Sequence, residues 1–286
     1  MKIIFQSTGQ RIDIDFTAMS LKAREFGHEV FLWNETKDPI FHLFEKNKPD
    51  IIICQSIEFS DSIVKCLNMH PDTKLGLYIH NNIPPPNLSK LTRPIDVHFT
   101  SYPETESLVV VGKQHHNLFP CLNQEFADKP ISIKFSTNLV FLGNFNSESK
   151  PDIYKYIYPL VDTGTLTVFG AGEWIIPEHL GILNYTDVHS IIQQCKGLIH
   201  LGNYIGWPTI AAAYYNKPVY MPKEYIYIHN ELFLTNIVPV NTAQELLIAG
   251  QSNEVLYSSK DMVLNNYTSK HLLDQVLLSF RKGVAQ

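Results

Sequence analysis

A turn containing Gly-Trp-Pro leads into an alanine-rich stretch, "IAAAYY", and this combination has the form of an anion-binding site. The turn and its flanks comprise Asn203, Tyr204, Ile205, Gly206, Trp207, Pro208 and Thr209. A helix that begins after such a turn presents unpaired backbone N–H groups and the positive end of its dipole, which together bind phosphate oxygens. Thr209 is suited either to capping the helix or to bonding a phosphate oxygen. The alternative is an ordinary strand-loop-helix crossover without a ligand.

Glycines also follow two apolar runs in the second half of the sequence. Gly143 and Asn144 come after "LVFL", and Phe169 is followed by Gly170 and Gly172 in "VFGAGE". Glycine lets the backbone approach a ligand closely, but it also permits a tight turn with no ligand. The second pattern is not a complete Gly-x-Gly-x-x-Gly fingerprint, so both interpretations stay open at these positions.

Three positions in the first half are candidates for ligand contact or proton transfer. Gly9 follows the first apolar run, in "STGQRIDIDF", and would let the backbone approach a ligand. Asp13 is either a general base or a cap of the following helix. His80 follows another apolar run, in "LYIHNNIPPP". Histidine accepts a proton near neutral pH, which suits a general base, and the alternative is a histidine bonded within a proline-rich turn.

Apolar runs of strand length alternate with helical stretches, which predicts an α/β protein built of parallel βαβ units. One series extends from "KIIFQ" to "DVHFTS" and another from "NLVFLGNF" to "AQELLIAG", separated by the proline-flanked segment "PCLNQEFADKPISIKFST". We therefore place a domain boundary near residue 128 and predict two Rossmann-like domains, at residues 1–128 and 129–265. Ligands of such sheets bind at the carboxyl ends of the strands, which is where the glycine turns are expected.

Charge and composition argue against several other classes of protein. The 286 residues carry a net charge of -5, with lysine and arginine scattered, which disfavours a nucleic-acid-binding surface. No apolar run reaches the ~18 residues of a membrane span, and the first run is too short for a secretory signal, so we expect a cytoplasmic protein. The 4 cysteines include no Cys-x-x-Cys pair, so neither a zinc site nor redox chemistry is indicated.

The order of the pieces in the second half resembles the GT-B class of glycosyltransferases, in particular the group 1, family-4-like enzymes. Four segments carry the resemblance: "LFPCLNQEF", "LVFLGNFN", "LTVFGAGE" and "HLGILNYTDVHSIIQQCKGLIHLG". It extends over residues 117–280, while the first half shares only the architecture. The resemblance implies two Rossmann-like domains that face a central cleft, the first for the acceptor and the second for the nucleotide-sugar. It also implies a carboxy-terminal helix, residues 266–286, that packs back on the first domain.

The donor-site signature of that class is present, but both of its acidic residues are replaced. Gly206, Trp207 and Pro208 match its Gly-Leu-Pro, whereas Asn203 stands in place of the first acid and Ala211 in place of the second. In the class the second acid, a glutamate, bonds the ribose hydroxyls. The resemblance therefore implies a donor site that has lost a ribose contact, and it leaves open a protein that binds nucleotide-sugars without catalysis.

The resemblance implies a hexosyl- or pentosyltransferase that needs no metal and no cofactor besides its donor substrate, a sugar on a nucleoside diphosphate such as UDP or GDP. The acceptor would be a glycan or another molecule with a hydroxyl group. The backbone near Ile182 would contact the base of the donor, and His80 or Asp13 would accept the proton of the acceptor. A glycosyltransferase that modifies nucleic acid is a further alternative, which the acidic charge disfavours.

Overall fold

The chain forms two structural units. One comprises Met1–Asn123 together with Ser269–Gln286, and the other comprises Gln124–Thr268. The chain therefore passes from one unit to the other after residues 123 and 268, whereas the sequence pattern placed the domain limits at 128 and 265. The computed structural model describes residues 1–7, 14–34, 39–79, 85–100, 115–117, 121–122, 127–135, 138–202, 205–226, 236–252 and 257–282.

Strands and helices alternate along the chain. The strands are β1 (Lys2–Gln6), β2 (Glu29–Trp33), β3 (Ile51–Gln55), β4 (Lys74–Tyr78), β5 (Val97–Thr100), β6 (His115–Asn117), β7 (Leu139–Leu142), β8 (Leu166–Phe169), β9 (Gly197–Ile199), β10 (Val219–Pro222) and β11 (Ile237–Val240). The helices are α1 (Ile14–Glu25), α2 (Ile40–Asn47), α3 (Asp61–Met69), α4 (Tyr185–Gln194), α5 (Trp207–Tyr214), α6 (Lys223–Ile226), α7 (Ala243–Gln251), α8 (Lys260–Asn266) and α9 (Ser269–Lys282). A further segment over residues 150–160 passes from α to π to 3-10 geometry. Within the described ranges, no helix combines the length and the apolar character needed to cross a membrane.

Each unit is built on one parallel β-sheet. The strand order is β2-β1-β3-β4-β5-β6 in the first unit and β11-β10-β9-β7-β8 in the second. The paired strands run parallel throughout both sheets as described. The predicted α/β class with two Rossmann-like parallel sheets is therefore confirmed. In each sheet the strand order reverses beside the first strand, between β1 and β3 and between β7 and β9, and doubly wound sheets bind ligands at such switch points.

The first sheet is covered on one face by α1 and α9. Every residue of β3 is buried, as expected for a parallel strand with helices on both faces. The apolar stripe of α9 packs into the same core through Leu272, Leu273, Val276, Leu277 and Phe280. Gly76 in β4 makes room for this helix, because a Cβ atom there would lie 2.8 Å from Phe280 Cζ.

The second sheet has an apolar cluster on each face. Phe141 and Val168 pack against the 150–160 segment, whereas the neighbouring Val140 and Phe169 pack against Ile191 of α4. The alternation follows from the strand period of two, which sends successive side chains to opposite faces. The strand ends of this sheet are thereby held by helices on both sides.

The cysteines do not form disulfides. Cys54, Cys66, Cys121 and Cys195 are all buried, and none of them is joined to another cysteine. Burial raises the pKa of the Cys66 thiol to about 12, so this side chain stays protonated near neutral pH.

Candidate functional site

Three loops of the second unit leave the carboxyl ends of β7, β8 and β9. Because parallel strands end at the same edge of a sheet, these loops lie side by side, and the β7 and β9 loops flank the switch point. The loop after β7 contains Gly143 and Asn144, the loop after β8 contains Gly170 and Gly172, and the loop after β9 leads to Gly206. Candidate residues that are far apart in the sequence therefore share one edge of one sheet.

Hydrogen bonds join the loops after β7 and β8. Gly143 N donates to Phe169 O at 3.0 Å, and Phe145 N donates to Ala171 O at 2.8 Å. Asn144 takes part with its side chain, because its Oδ1 atom accepts a hydrogen bond from Ala171 N at 2.9 Å. The asparagine carboxamide is thus oriented by the backbone of the neighbouring loop.

Gly170 and Gly172 are required by the close approach of these two loops. Gly170 has φ +152 and Gly172 has φ +114, a backbone conformation that glycine tolerates far better than other residues. A Cβ atom on Gly170 would lie 1.8 Å from Gly143 O, and one on Gly172 would lie 2.3 Å from Phe145 O. The structure therefore gives both glycines a role in loop geometry.

The segment before α4 runs alongside β8. Leu180 N donates to Val168 O and Gly170 N donates to Gly181 O, each at 2.9 Å. Ile182 follows directly and leaves 68% of its side chain exposed. The backbone of this segment thus lies next to the loop after β8, on the edge that also carries Asn144.

Helix α5 begins without a side-chain cap. Its N-cap is Gly206, with φ -91 and ψ 163, a residue that has no side chain to bond the N–H groups of the first turn. Thr209 N donates to Gly206 O at 3.0 Å, while Pro208 has no N–H to offer. Fewer backbone donors therefore face a ligand here than at a regular helix start, although the dipole of the eight-residue helix still favours an anion.

The hydroxyl group of Thr209 is buried and has no hydrogen-bond partner in the part of the chain that the structure describes. Thr209 is 0% exposed, and its Oγ1 atom makes no hydrogen bond to any described residue. The side chain does not cap the helix, which removes one of the two roles considered for it. A buried hydroxyl without a partner costs about 1–3 kcal/mol, so a ligand oxygen that accepted its proton would offset that cost.

Helix α5 contains no carboxylate, because Ala211 stands where the donor-site signature has its second acid. Ala211 is 0% exposed and lies between Ile210 and Ala212, which are also fully buried. Ile205, ahead of the helix, is 1% exposed, so its apolar side chain is buried and holds the turn against the protein interior. A ribose hydroxyl at this site would have no acceptor from position 211.

Five of the predicted site residues lie outside the part of the chain that the structure describes. They are Gly9, Asp13, His80, Asn203 and Tyr204. The roles assigned to them stay predictions.

Sequence reasoning missed His189, which lies next to the start of α5. His189 belongs to α4 and is 3% exposed, and its ring lies 5.3 Å from that of Trp207 between centroids. Burial lowers the pKa of His189 to about 4, so the imidazole is neutral at physiological pH. The only sequence signal was its place beside Val188 on an amphipathic helix, which is typical of a core position.

Among the described residues, no three side chains of histidine, cysteine, aspartate or glutamate come close enough together to hold a metal ion.

Neither a protein-family model nor a curated protein sequence matches the chain. Solved structures match it over nearly its whole length. AviGT4, a glycosyltransferase involved in avilamycin A biosynthesis, has a TM-score of 0.66 at 12% identity, covering 100% of this chain and 98% of that one. An α-glucosyltransferase (AGT) in complex with UDP has a TM-score of 0.66 at 12% identity, covering 98% and 99%. A DNA-modifying β-glucosyltransferase, solved with and without uridine diphosphoglucose, has a TM-score of 0.61 at 16% identity, covering 100% of both chains.

These similarities establish the fold. AviGT4 and AGT are GT-B glycosyltransferases, and the match covers both sheets of this chain. The predicted GT-B fold is therefore confirmed.

Proposed function

We propose that the protein is a glycosyltransferase that moves a hexosyl or pentosyl group from a nucleoside diphosphate to a hydroxyl group of a glycan or another acceptor. The diphosphate binds at the start of α5, and the reaction needs no metal ion. UDP is the first candidate nucleotide, because the structurally similar AGT was solved with UDP, and GDP is the second.

The buried hydroxyl of Thr209 is the observation that carries this proposal. It lies in the first turn of a helix that no side chain caps, on the strand edge next to the switch point. A hydroxyl donor, a positive dipole end and flanking glycine loops are suited to phosphate oxygens. An apolar ligand would satisfy neither the hydroxyl nor the helix end.

The proposed chemistry follows from holding a diphosphate there. The acceptor oxygen forms a bond to the anomeric carbon while the bond from that carbon to the diphosphate breaks, and the diphosphate leaves with the electron pair. N–H groups and the helix dipole stabilise the charge that develops on the leaving group. A general base takes the proton of the acceptor hydroxyl, and His80 and Asp13 are the proposed candidates for it.

A binding protein without catalysis is the second candidate function. Ala211 and Asn203 favour it, because neither provides the carboxylate found at these positions in the GT-B signature. Losing charge-assisted bonds to ribose weakens binding by about 1.5–3 kcal/mol for each bond, but it removes no reacting group. Catalysis is therefore still the better-supported proposal.

Binding of nucleotides and turnover are tested separately. UDP and GDP are titrated calorimetrically, with and without EDTA, and UDP- and GDP-sugars are then assayed for hydrolysis and transfer to sugar acceptors and duplex DNA. We expect binding that survives EDTA and transfer to a sugar acceptor. If neither nucleotide binds, the proposed function is wrong; if a nucleotide binds but no sugar donor turns over, the binding protein is the correct alternative.

The proposed base is tested by substitution. His80→Ala should lower kcat about 10²–10⁴-fold and leave nucleotide affinity unchanged. His42→Ala, at an exposed position of α2, is the matched histidine control and should leave both unchanged. Wild-type turnover in His80→Ala would exclude His80 and make Asp13→Ala the next variant.

A further inference from the structure

The imidazole of His189 contacts the aromatic residues at both ends of α5. Its ring lies 5.3 Å from the ring of Trp207, tilted by 32°, and 6.0 Å from the ring of Tyr215, at 80°. Trp207 is the first residue of α5, and Tyr215 follows its last residue. A single side chain of α4 therefore contacts both ends of this helix.

Hydrogen bonds fix the orientation of that imidazole. Tyr215 OH donates to Ala127 O at 2.8 Å, and a carbonyl oxygen can only accept. The phenol has one proton, so the contact of 3.1 Å between Tyr215 OH and His189 Nδ1 has the histidine as its donor. Because burial keeps the imidazole neutral, its single proton lies on Nδ1, and a chain of two hydrogen bonds holds it there.

The Trp207 residue lies directly next to the turn that precedes α5. Trp207 directly follows Gly206, the N-cap, and its partly buried ring packs against His189. The indole is attached to the Cα atom that lies between the first peptide groups of α5. Those groups form the helix end at which we place the diphosphate.

We propose that His189 is a positioning residue, which sets the orientation of the Trp207 indole and thereby the geometry of the diphosphate-binding turn. This inference rests on the proposed function for its ligand, but the orientation of the indole is independent of that ligand. His189 touches no substrate itself and acts only through Trp207 and α5.

The orientation of the indole is tested by fluorine NMR on protein labelled with 5-fluorotryptophan. The chain has 3 tryptophans, and Trp207→Phe identifies the resonance of Trp207. His189→Ala should broaden or split that resonance and leave those of Trp33 and Trp174 in place, because only one indole loses its support. His189→Phe, which keeps a ring against the indole, should restore a single sharp resonance. A single sharp Trp207 resonance in folded His189→Ala would overturn the proposal.

The effect on binding is tested with a double-mutant cycle for UDP affinity. A ring contact of this kind corresponds to a change of about five-fold in affinity, which we expect for His189→Ala and for Trp207→Ala. The double variant should lose little more than either single variant, since both changes act through the same indole. Tyr214→Phe, which removes the neighbouring phenol that bonds Asp128, is the control and should bind UDP as the wild type does.

The outcomes separate this inference from the proposed function. Additive losses in the cycle, or unchanged affinity in a folded His189→Ala, would overturn the positioning role. If the wild type binds no nucleoside diphosphate, the proposed function fails, and the NMR result alone decides whether His189 orients the indole. A variant with a lower melting temperature but wild-type affinity and a sharp resonance would show a purely structural role and overturn the proposal.

Discussion

Gln6 and Gln55 bind each other at the carboxyl ends of β1 and β3, with both side chains 0% exposed. Gln55 N donates to Gln6 Oε1 at 2.8 Å, and Gln55 Nε2 donates to Gln6 O at 3.1 Å. Gln6 Nε2 in turn donates to Glu58 O at 2.7 Å. The two strands that flank the switch point of the first sheet are therefore joined by a satisfied buried polar network.

Removing the Gln6 carboxamide should destabilise the first unit. Gln6→Leu keeps a similar volume but leaves Gln55 N and Glu58 O without their partners inside the protein. We expect a loss of about 3 kcal/mol in the free energy of unfolding, measured by urea denaturation. Gln251→Leu, at an exposed end of α7, should change it by less than about 0.5 kcal/mol. Equal stability of the two variants would contradict the role of the network.

Alanine substitutions at two glycines with positive φ distinguish the energetic cost of a steric clash from that of backbone strain. Gly170 has φ +152 and its Cβ would lie 1.8 Å from a carbonyl oxygen, whereas Gly164 has φ +70 and nothing within 4 Å of its Cβ. Gly164→Ala should therefore cost only the strain, about 1 kcal/mol. Gly170→Ala should cost at least about 3 kcal/mol, because the loops after β7 and β8 must move apart. Thermal denaturation of both variants checks this, and a Gly170→Ala as stable as Gly164→Ala would show that these loops are not tightly joined.

The fold could be predicted from the sequence because its signals are local. Runs such as "KIIFQ" and "PDIIICQ" are short, apolar and bounded by turn residues, which identifies buried parallel strands without knowledge of their neighbours. The same holds for the apolar stripe of α9. The alternation of such elements is sufficient for the α/β class.

The contacts of the candidate site could not be predicted because they join distant segments. Gly170 is needed because Gly143 O lies against it, and nothing in "VFGAGE" says which carbonyl approaches. His189 resembles any core residue of an amphipathic helix until its distances to Trp207 and Tyr215 are known. Thr209 was expected to cap a helix or to bond a phosphate, and only the structure shows that Gly206 is the cap.

The neutral His189 should make stability depend on pH. Burial lowers the pKa of His189 from 6.5 to about 4 in the folded protein, so between these values the unfolded chain binds a proton that the folded chain does not. The contribution of the neutral imidazole to the free energy of unfolding is fully present above pH 6.5 and is lost as the pH falls towards 4. Between pH 7 and pH 4.5 the free energy of unfolding of the wild type should fall by about 2–3 kcal/mol more than that of His189→Phe. Urea denaturation at both pH values measures this difference. Identical pH dependence in the two proteins would show that His189 is not held neutral.

Thr209→Val should stabilise the free protein and weaken nucleotide binding at the same time. The substitution replaces a buried hydroxyl without a partner by a methyl group of similar size. The melting temperature should rise by about 2–4 °C, since an unsatisfied group costs about 1 kcal/mol or more. Affinity for UDP should fall about ten-fold or more, because a hydrogen bond to a charged phosphate is lost.

Two matched variants show whether the effect belongs to this hydroxyl. Thr209→Ser keeps the hydroxyl and loses only the methyl group, so it should retain UDP affinity while the melting temperature falls. Thr167→Val, at a buried position of β8, should leave UDP affinity unchanged.

If Thr209→Val is more stable but binds UDP as tightly as the wild type, the hydroxyl does not contact the ligand, and the diphosphate does not bind at the first turn of α5. A loss of affinity together with a loss of stability would instead show that the hydroxyl already has a partner within the protein. Only higher stability with weaker binding fits a group that the fold leaves unsatisfied for a ligand.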